Sequence, residues 1–256
     1  MATRTAKSTP RARPKPGAGP KSRPLAKSRQ MAKPAAHARS LPARRVPRAV
    51  FLDGNLRQAL IDAAVELARE GSPARVTVRE AGRRAGVSPA ASARHFASNA
   101  ALLGAVAAEA LRRFSSEMQC ALAGVTGDDP VERLRAIGHA FIRWALHSPT
   151  HFRILSARDL IGFAQVPELR DELQDMVDGV MSLSAEAQRR GQWPAGSTRL
   201  FALASRALVY GLSRMKADGQ LPQWGVGEEE TEATLLDVVD LYIDMLSRAA
   251  RAPRGR

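Results

Sequence analysis

Residues 77–103 constrain the fold of this chain more than any other stretch, and they read TVREAGRRAGVSPAASARHFASNAALL. Thr77 and Glu80 have the spacing of a capping box, in which a threonine hydroxyl and a glutamate carboxylate bind free amides at a helix start. Gly86 predicts the end of that helix, because a residue without a Cβ adopts the left-handed conformation at little cost.

A second short helix is predicted directly after the glycine. Ser88 provides an N-cap for it, and Pro89 suits its first helical position. Ser98 then predicts the cap of a longer third helix. Two short helices joined by a tight glycine turn form a helix-turn-helix, whose second helix can enter the major groove of DNA. The stretch therefore predicts a DNA-binding function as well as a fold.

The rest of the chain also predicts helices. Apolar residues recur at helical spacing, and no segment reads convincingly as a strand. One helical segment, 167–190, is expected to turn Val177 inward. The 200–212 segment is apolar nearly all round, which implies burial on several sides. The 234–248 segment is apolar over a wider arc than one small core usually covers. We therefore predict an all-α protein in which the last two helices form the interface of a homodimer.

Composition excludes several classes of protein. A hydrophobic content of 45% over 256 residues is ample for a core. No apolar run approaches the roughly 20 residues that span a bilayer, and the N-terminus lacks the apolar core of a secretory signal. The single cysteine, Cys120, excludes an intramolecular disulfide and fits a reducing compartment. We expect a cytoplasmic protein without a membrane partner, in which Cys120 is a buried structural thiol.

The positive charge is concentrated at the N-terminus. Residues 1–50 contain 14 Lys and Arg and no Asp or Glu, whereas residues 51–256 contain 25 basic and 25 acidic residues, which cancel. The first 50 residues are rich in Pro, Ala and Ser and have too few large apolar side chains to offset their ordering entropy, so we predict disorder. Two functions are open for this tail: a polycationic arm along DNA phosphates, or a solubilising extension.

The predicted helix-turn-helix carries a resemblance to a known family. The block from Leu56 to about Ala110, with its segments AAVELARE-G, TVREAGRRAGVS, RHFAS and ALL, resembles the DNA-binding domain of the tetracycline-repressor (TetR) family. HSPTHFRIL in mid-chain and VYGL near the end resemble the ligand-binding region of one branch of that family. The resemblance implies a homodimeric transcriptional repressor whose N-terminal helices read operator DNA and whose C-terminal helices bind a small effector and dimerise.

These observations predict that the chain has three parts. Residues 1–50 are the basic tail, 51–115 the helix-turn-helix domain, and 116–252 a helical domain for effector binding and dimerisation. By resemblance, residues 88–94 form the recognition helix, and Phe96 packs into the core of its unit. The candidate DNA-binding residues are Thr77, Arg79, Ser88, Pro89, Ala90, Ala91, Ser92, Ala93, Arg94, His95 and Asn99.

Three of these positions depart from the family pattern. Family members usually carry a threonine two positions before a tyrosine in the recognition helix and a lysine at the start of the next helix, and all three commonly touch phosphates. Here the positions hold Ala91, Ala93 and Asn99. Because a methyl group cannot donate a hydrogen bond, the usual clamp on the DNA backbone is expected to be missing. In the C-terminal region the expected Trp and His of the branch fall on Arg206 and Tyr210.

Aromatic, histidine and methionine side chains of the C-terminal region are the effector-binding candidates, with core packing as the alternative for each: His139, Trp144, His147, Phe152, Met176, Phe201 and Tyr210. His147 and His151 are four residues apart, but Ser148-Pro149 breaks the helix between them and no cysteine or carboxylate completes a set, so we predict no metal site. The sequence has no GxSxG elbow, no GxGxxG after a strand and no P-loop, so we expect neither an enzyme nor a cofactor.

The sequence thus predicts a DNA-binding transcriptional regulator that acts as a ligand-released homodimeric repressor on a pseudo-palindromic operator. The effector is expected to be a small apolar molecule. Two alternatives remain open. One is a DNA-binding protein of low sequence specificity whose affinity comes from the basic tail, and the other is an effector-binding scaffold that no longer reads an operator.

Overall fold

Helices account for the regular structure of residues 53–252, the part of the chain that the computed structural model describes. The predicted disorder of residues 1–50 lies outside this range. Within it there is no strand, so the all-α prediction is confirmed. The described part forms nine helices: α1 (Asp53–Glu70), α2 (Val78–Arg84), α3 (Pro89–His95), α4 (Asn99–Ala123), α5 (Pro130–His147), α6 (Pro149–Ser156), α7 (Pro167–Arg189), α8 (Thr198–Ala217) and α9 (Thr231–Arg251).

The starts and stops of the two short helices follow the local sequence. Thr77 caps α2, because its Oγ1 accepts a hydrogen bond from the Glu80 amide at 3.1 Å. Gly86 has a φ of 72° and ends that helix. Ser88 caps α3 by accepting from the Ala91 amide at 3.2 Å. The second half of the predicted capping box is absent, because the Glu80 carboxylate accepts from the Arg83 Nε at 3.0 and 3.1 Å instead.

A glycine and a serine let α2 and α3 cross closely. Ser92 is fully buried, and its hydroxyl donates to the Ser88 carbonyl at 3.1 Å. A Cβ built on Gly82 would lie 2.1 Å from the Ser92 Oγ and 3.1 Å from its Cβ. Phe96, only 4% exposed, closes the base of the unit as predicted. The angle between the two helices therefore depends on the absence of a side chain at Gly82.

Helix α4 is buried in the hydrophobic core along most of its length. Near its start Leu102, Leu103 and Val106 are buried in the unit that contains α1. Further along, the Phe114 ring packs against Phe141 and Trp144 of α5. The predicted domain boundary between residues 115 and 116 falls inside this one continuous helix. The division into two domains stays a prediction, and α4 would be shared by both.

Helix α5 lies at the centre of the C-terminal helices, packed against α4, α7, α8 and α9. Gly138 allows α9 to come close, since a Cβ there would lie 2.8 Å from the Val239 Cγ1. Two burial predictions in this region are wrong. Cys120 is exposed near the end of α4, and Val177 is 52% exposed on α7. Both lie on the solvent side of a helix that uses its other face for packing.

The last two helices keep a large apolar surface exposed. Leu200, Leu203, Leu241 and Met245 are each 58–62% exposed. Within one chain, α8 buries only Ala202, Val209 and Ser213 along one side. The prediction that the residue 200–212 segment is buried on several sides is therefore wrong for the single chain, because its neighbours cover one face only.

Replacing Gly82 with alanine should destabilise the helix-turn-helix. The added methyl group would overlap the Ser92 hydroxyl and force α2 and α3 apart, at a cost of about 1–3 kcal/mol. Urea unfolding at a fixed protein concentration measures the change.

Gly179→Ala is the matched control. Gly179 also lies within a helix, but a Cβ there would meet nothing within 4 Å. We expect it to stabilise the protein by about 0.5–1 kcal/mol, the usual gain of alanine over glycine in a helix. The double change Gly82→Ala and Ser92→Ala should recover part of the loss. Equal effects of the two single changes would show that the crossing does not depend on Gly82.

Candidate DNA-binding surface and effector region

One face of α3 is open to solvent. Pro89, Ala90, Ala93 and Arg94 are exposed, whereas Ser88, Ala91 and His95 are half-buried. Ser92 points into the interior, so the prediction that it contacts DNA is wrong. A buried hydroxyl that is already bonded to a carbonyl reaches neither a base edge nor a phosphate.

The arginines of the motif differ in how they are paired. Arg83 forms an ion pair with Glu80 at 2.5 Å, and Arg84 forms one with Glu70 at 2.6 Å. The guanidinium of Arg83 lowers the pKa of the Glu80 carboxyl through this hydrogen bond. By contrast, exposed Arg79 and Arg94 carry no ion pair within residues 53–252. Their five guanidinium donors are free to bind phosphate oxygens or a guanine edge.

Asn99 has a structural contact that sequence reasoning missed. Its Oδ1 accepts a hydrogen bond from the Val78 amide at 2.9 Å. Val78 is the first residue of α2, where the amide lacks a partner within its own helix. The first side chain of α4 thus caps α2 across 21 positions of sequence. This hydrogen bond joins the start of α4 to the start of α2, the helix that packs against α3.

Arg153 of α6 makes a second contact that no local pattern indicated. Its Nη2 donates to the Ala68 carbonyl at 3.0 Å and its Nη1 to the Gly71 carbonyl at 3.4 Å. These carbonyls lie at the C-terminal end of α1, where helix oxygens lack internal partners and attract a positive charge. Helix α6 is therefore bonded to α1, and it also packs against α4 and α5.

Three of the seven predicted effector residues meet in an aromatic cluster. Ring centroids of Trp144 and Phe152 are 6.1 Å apart, and those of Phe152 and Tyr210 are 5.7 Å apart. Phe141 joins them, with its centroid 6.3 Å from that of Phe152. Trp144 and Phe152 are at most 2% exposed, which is the core packing that the sequence left open as an alternative. Tyr210 is half-buried at the edge of the cluster.

The other predicted effector residues lie elsewhere. His139 Nε2 is 2.8 Å from an Asp240 carboxylate oxygen, and exposed His147 lies 3.3 Å from Glu232, both on the side of α5 that faces α9. Phe201 packs on Trp193, with centroids 6.1 Å apart. Half-buried Met176 packs against the core from α7. The seven residues do not form one site, since α5 directs its histidines and its aromatic rings to different neighbours.

Residues 53–252 contain no cluster of three or more His, Cys, Asp or Glu side chains placed to bind a metal ion. They also include no helix with the length and apolar character needed to cross a bilayer.

Two family models match the chain, one in its N-terminal half and one in its C-terminal half. Residues 60–106 match the family described as bacterial regulatory proteins, tetR family. Residues 134–246 match the family described as tetracyclin repressor-like, C-terminal domain. Among curated proteins, no sequence matches the chain.

Solved structures share the fold at low identity. A protein of unknown function from Rhodococcus sp. RHA1 is 22% identical with a TM-score of 0.61, over 75% of this chain and 95% of that one. A tetR-family regulatory protein from Rhodococcus RHA1 is 16% identical with a TM-score of 0.57, over 75% and 96%. The TetR family regulator PfmR from Thermus thermophilus is 20% identical with a TM-score of 0.56, over 78% and 98%.

Asn99→Ala should loosen the start of α2. Loss of the Oδ1 acceptor leaves the Val78 amide without a protein partner, which typically costs about 0.5–2 kcal/mol for a helix cap. Hydrogen exchange of the Val78 amide should accelerate accordingly, and NMR or mass spectrometry detects the change.

Asn99→Asp is the control, because a carboxylate keeps the acceptor and is favourable at a helix N-terminus. It should retain the slow exchange of the Val78 amide. If Asn99→Ala left that exchange unchanged, the link between α4 and α2 would contribute nothing to the stability of the helix start.

Proposed function

Because the chain belongs to the TetR family of bacterial transcriptional regulators, we propose that it is a homodimeric repressor that a small effector releases from a pseudo-palindromic operator. The observation that carries this proposal is the exposed face of α3, with Arg94 unpaired within the described residues, together with the exposed Arg79 on α2. This face offers the donors and the small side chains that close approach to a DNA groove requires. A regulator of the chromosome acts in the cytoplasm, which is the location that the sequence predicted.

Small residues on α3 favour readout by few side chains. Ala90, Ala91 and Ala93 donate no hydrogen bonds, so phosphate contacts come instead from neighbouring groups. Thr77 keeps its hydroxyl proton free to donate, because its oxygen accepts from Glu80. Asn99 likewise uses only its oxygen towards Val78, which leaves its amide group as a donor. These two residues supply a reduced clamp in place of the usual one.

The dimer is proposed to form through α8 and α9. Leu200, Leu203, Leu241 and Met245 leave an apolar surface that a solvent-facing helix pair would not normally carry. A second copy of the chain covers such a surface in an isologous contact, in which the same patches meet across a two-fold axis. Two-fold symmetry would place two copies of α3 in successive major grooves, about 34–36 Å apart or a multiple of that.

Effector release is proposed to act through α4 and α6. Both helices connect the aromatic cluster to the DNA-binding helices, through Phe114 on α4 and through Arg153 on α6. An effector that bound one orientation of these helices better than another would shift the spacing of the two α3 helices. Operator affinity would then fall by the ratio of the effector's affinities for the two states.

The basic tail supports a second candidate function, in which DNA binding has low sequence specificity. Residues 1–50 hold the whole excess of positive charge, 14 Lys and Arg without an acidic residue. Engagement of about 6–10 phosphates would reduce affinity roughly 10³- to 10⁵-fold between 50 and 200 mM salt. A tail that only assists operator binding would add to this salt dependence without changing the preferred sequence.

Arg94→Ala should weaken operator binding by about 1–3 kcal/mol, roughly 5- to 150-fold, and relax the preference at one position of each half-site. Selection of bound fragments from genomic DNA, followed by footprinting at several salt concentrations, provides the operator and the affinities.

Arg170→Ala is the control for loss of one charge, since Arg170 is exposed on α7 and has no ion pair among residues 53–252. It should bind the operator as the parent does.

A footprint without two-fold symmetry would contradict the repressor proposal. Loss of most of the affinity on removal of residues 1–50, with little sequence preference in the full-length protein and no effect of Arg94→Ala, would favour the tail-driven alternative. If neither the full-length protein nor the protein without residues 1–50 selected any DNA fragment at low salt, the scaffold that no longer reads DNA would be favoured.

Leu203→Glu should convert the dimer to a monomer at micromolar concentration. An unpaired carboxylate at an apolar interface loses its hydration without gaining a partner, which costs several kcal/mol per copy. Analytical ultracentrifugation measures the shift in mass.

Val177→Glu serves as the control, because Val177 is exposed to a similar extent but lies on α7. It should leave the dimer intact. A parent protein that sediments as a monomer, or dissociation caused by Val177→Glu alone, would contradict an interface through α8 and α9.

A further inference from the structure

Arg57 on α1 lies beside the C-terminal end of α3. Its guanidinium carbon is 5.3 Å from the centroid of the Phe96 ring. Phe96 is the C-cap residue of α3, and with 4% of its surface exposed it belongs to the core. Arg57 itself is exposed to solvent. The guanidinium therefore covers a core ring at the surface of the protein, at the point where α3 ends.

The contact with the Phe96 ring orients the guanidinium without using its N–H donors. Stacking on a ring face leaves the edge donors of an arginine available to other groups. Among the side chains that the structure describes in residues 55–252, no carboxylate forms an ion pair with Arg57, whereas Arg84 binds Glu70 at 2.6 Å. An arginine that is oriented before binding loses less side-chain entropy when its donors are used.

The starts of α2 and α4 lie close to the same point. Asn99, the first residue of α4, follows Phe96 by three positions, which span at most about 10 Å. Its side chain accepts a hydrogen bond from the Val78 amide at the start of α2. Thr77 caps that helix. Arg57 thus adds a group from α1 to the place where α3 ends and where α2 and α4 begin.

The length of α3 places this point beside a DNA backbone. A helix of seven residues is about 10 Å long, and the major groove of B-DNA is about 12 Å wide. When α3 lies in the groove with Arg94 at the base edges, groups just beyond its last residue face the phosphates that border the groove. The alanine side chains of α3 donate no hydrogen bond to those phosphates, whereas the guanidinium of Arg57 offers charged donors.

We propose that Arg57 binds a phosphate of the DNA backbone at the C-terminal end of α3, with its guanidinium oriented by the Phe96 ring. This inference rests on the proposed function, in which α3 enters the major groove, and it adds a residue of α1 to the DNA-binding surface. Arg94 reads a base edge, and Arg57 fixes the position of α3 in the groove, because phosphate contacts position a protein and base contacts specify the sequence.

The test uses the full-length protein and two duplexes of equal length, the operator selected from genomic DNA and a random sequence. Affinities are measured between about 50 and 200 mM salt. In Arg57→Gln the dimer loses two phosphate contacts, so both affinities should fall by the same factor, about 10- to 100-fold. The slope of log affinity against log salt should become shallower by about 1.8, because each phosphate contributes about 0.9.

Arg69→Gln is the matched control. Arg69 is also exposed on α1, but it lies in the last turn of the helix, about 18 Å along the axis from Arg57. This change should leave both affinities and the salt slope as they are in the parent. Arg57→Lys keeps the charge but not the planar fork, so it should keep the salt slope of the parent and recover part of the affinity.

Ethylation interference locates the contact on the DNA. In the parent, ethylation of the phosphate that Arg57 binds should block binding, once in each half-site. In Arg57→Gln, ethylation of that phosphate should lose its effect, while the other contacted phosphates keep theirs. A structural role of Arg57 towards Phe96 would instead lower the urea midpoint of unfolding and leave the interference pattern unchanged.

The outcomes separate this contact from the proposed function. If the parent binds the operator and Arg57→Gln has an unchanged salt slope or an unchanged interference pattern, the contact is overturned and the proposed function stands. A loss of affinity that Arg69→Gln reproduces would show a long-range effect of charge and would also overturn the contact. A parent that bound neither duplex at low salt would overturn the proposed function and this contact with it.

Discussion

The burial of α4 against both the helix-turn-helix and the C-terminal helices is the constraint on which the rest of the structure depends. Its first turns are covered by the helices that support α3, and its later turns pack Phe114 against Phe141 and Trp144. A helix is stiff along its axis, so a rotation imposed at one end appears at the other. The hydrogen bond from Asn99 to the Val78 amide attaches the helix-turn-helix to this axis at its first residue.

The segments that surround α4 are held tightly in place. Gly104 brings the connection between α6 and α7 to within van der Waals distance of the helix. Arg153 holds α6 to the end of α1 through two carbonyl oxygens. Small displacements there act on packed surfaces, which move as units because close-packed interiors deform little.

Sequence reasoning succeeded where the signal is local. The caps at Thr77 and Ser88 and the glycine stop at Gly86 each depend on one residue and the backbone within four positions. Burial was predicted less well. Ser92 and Cys120 were assigned to the wrong environment, because a helical pattern indicates which residues share a face but not which neighbour covers that face.

The sequence by itself determined the all-α class, the helix-turn-helix and the concentration of positive charge in residues 1–50. Only the tertiary structure decided which polar groups are paired. The contacts of Asn99 with Val78, of Arg153 with Ala68, and of Arg206 with the Phe141 ring join residues from 21 to 85 positions apart. No local propensity encodes such pairs, because they exist only once packing has brought two helices to a defined distance and angle.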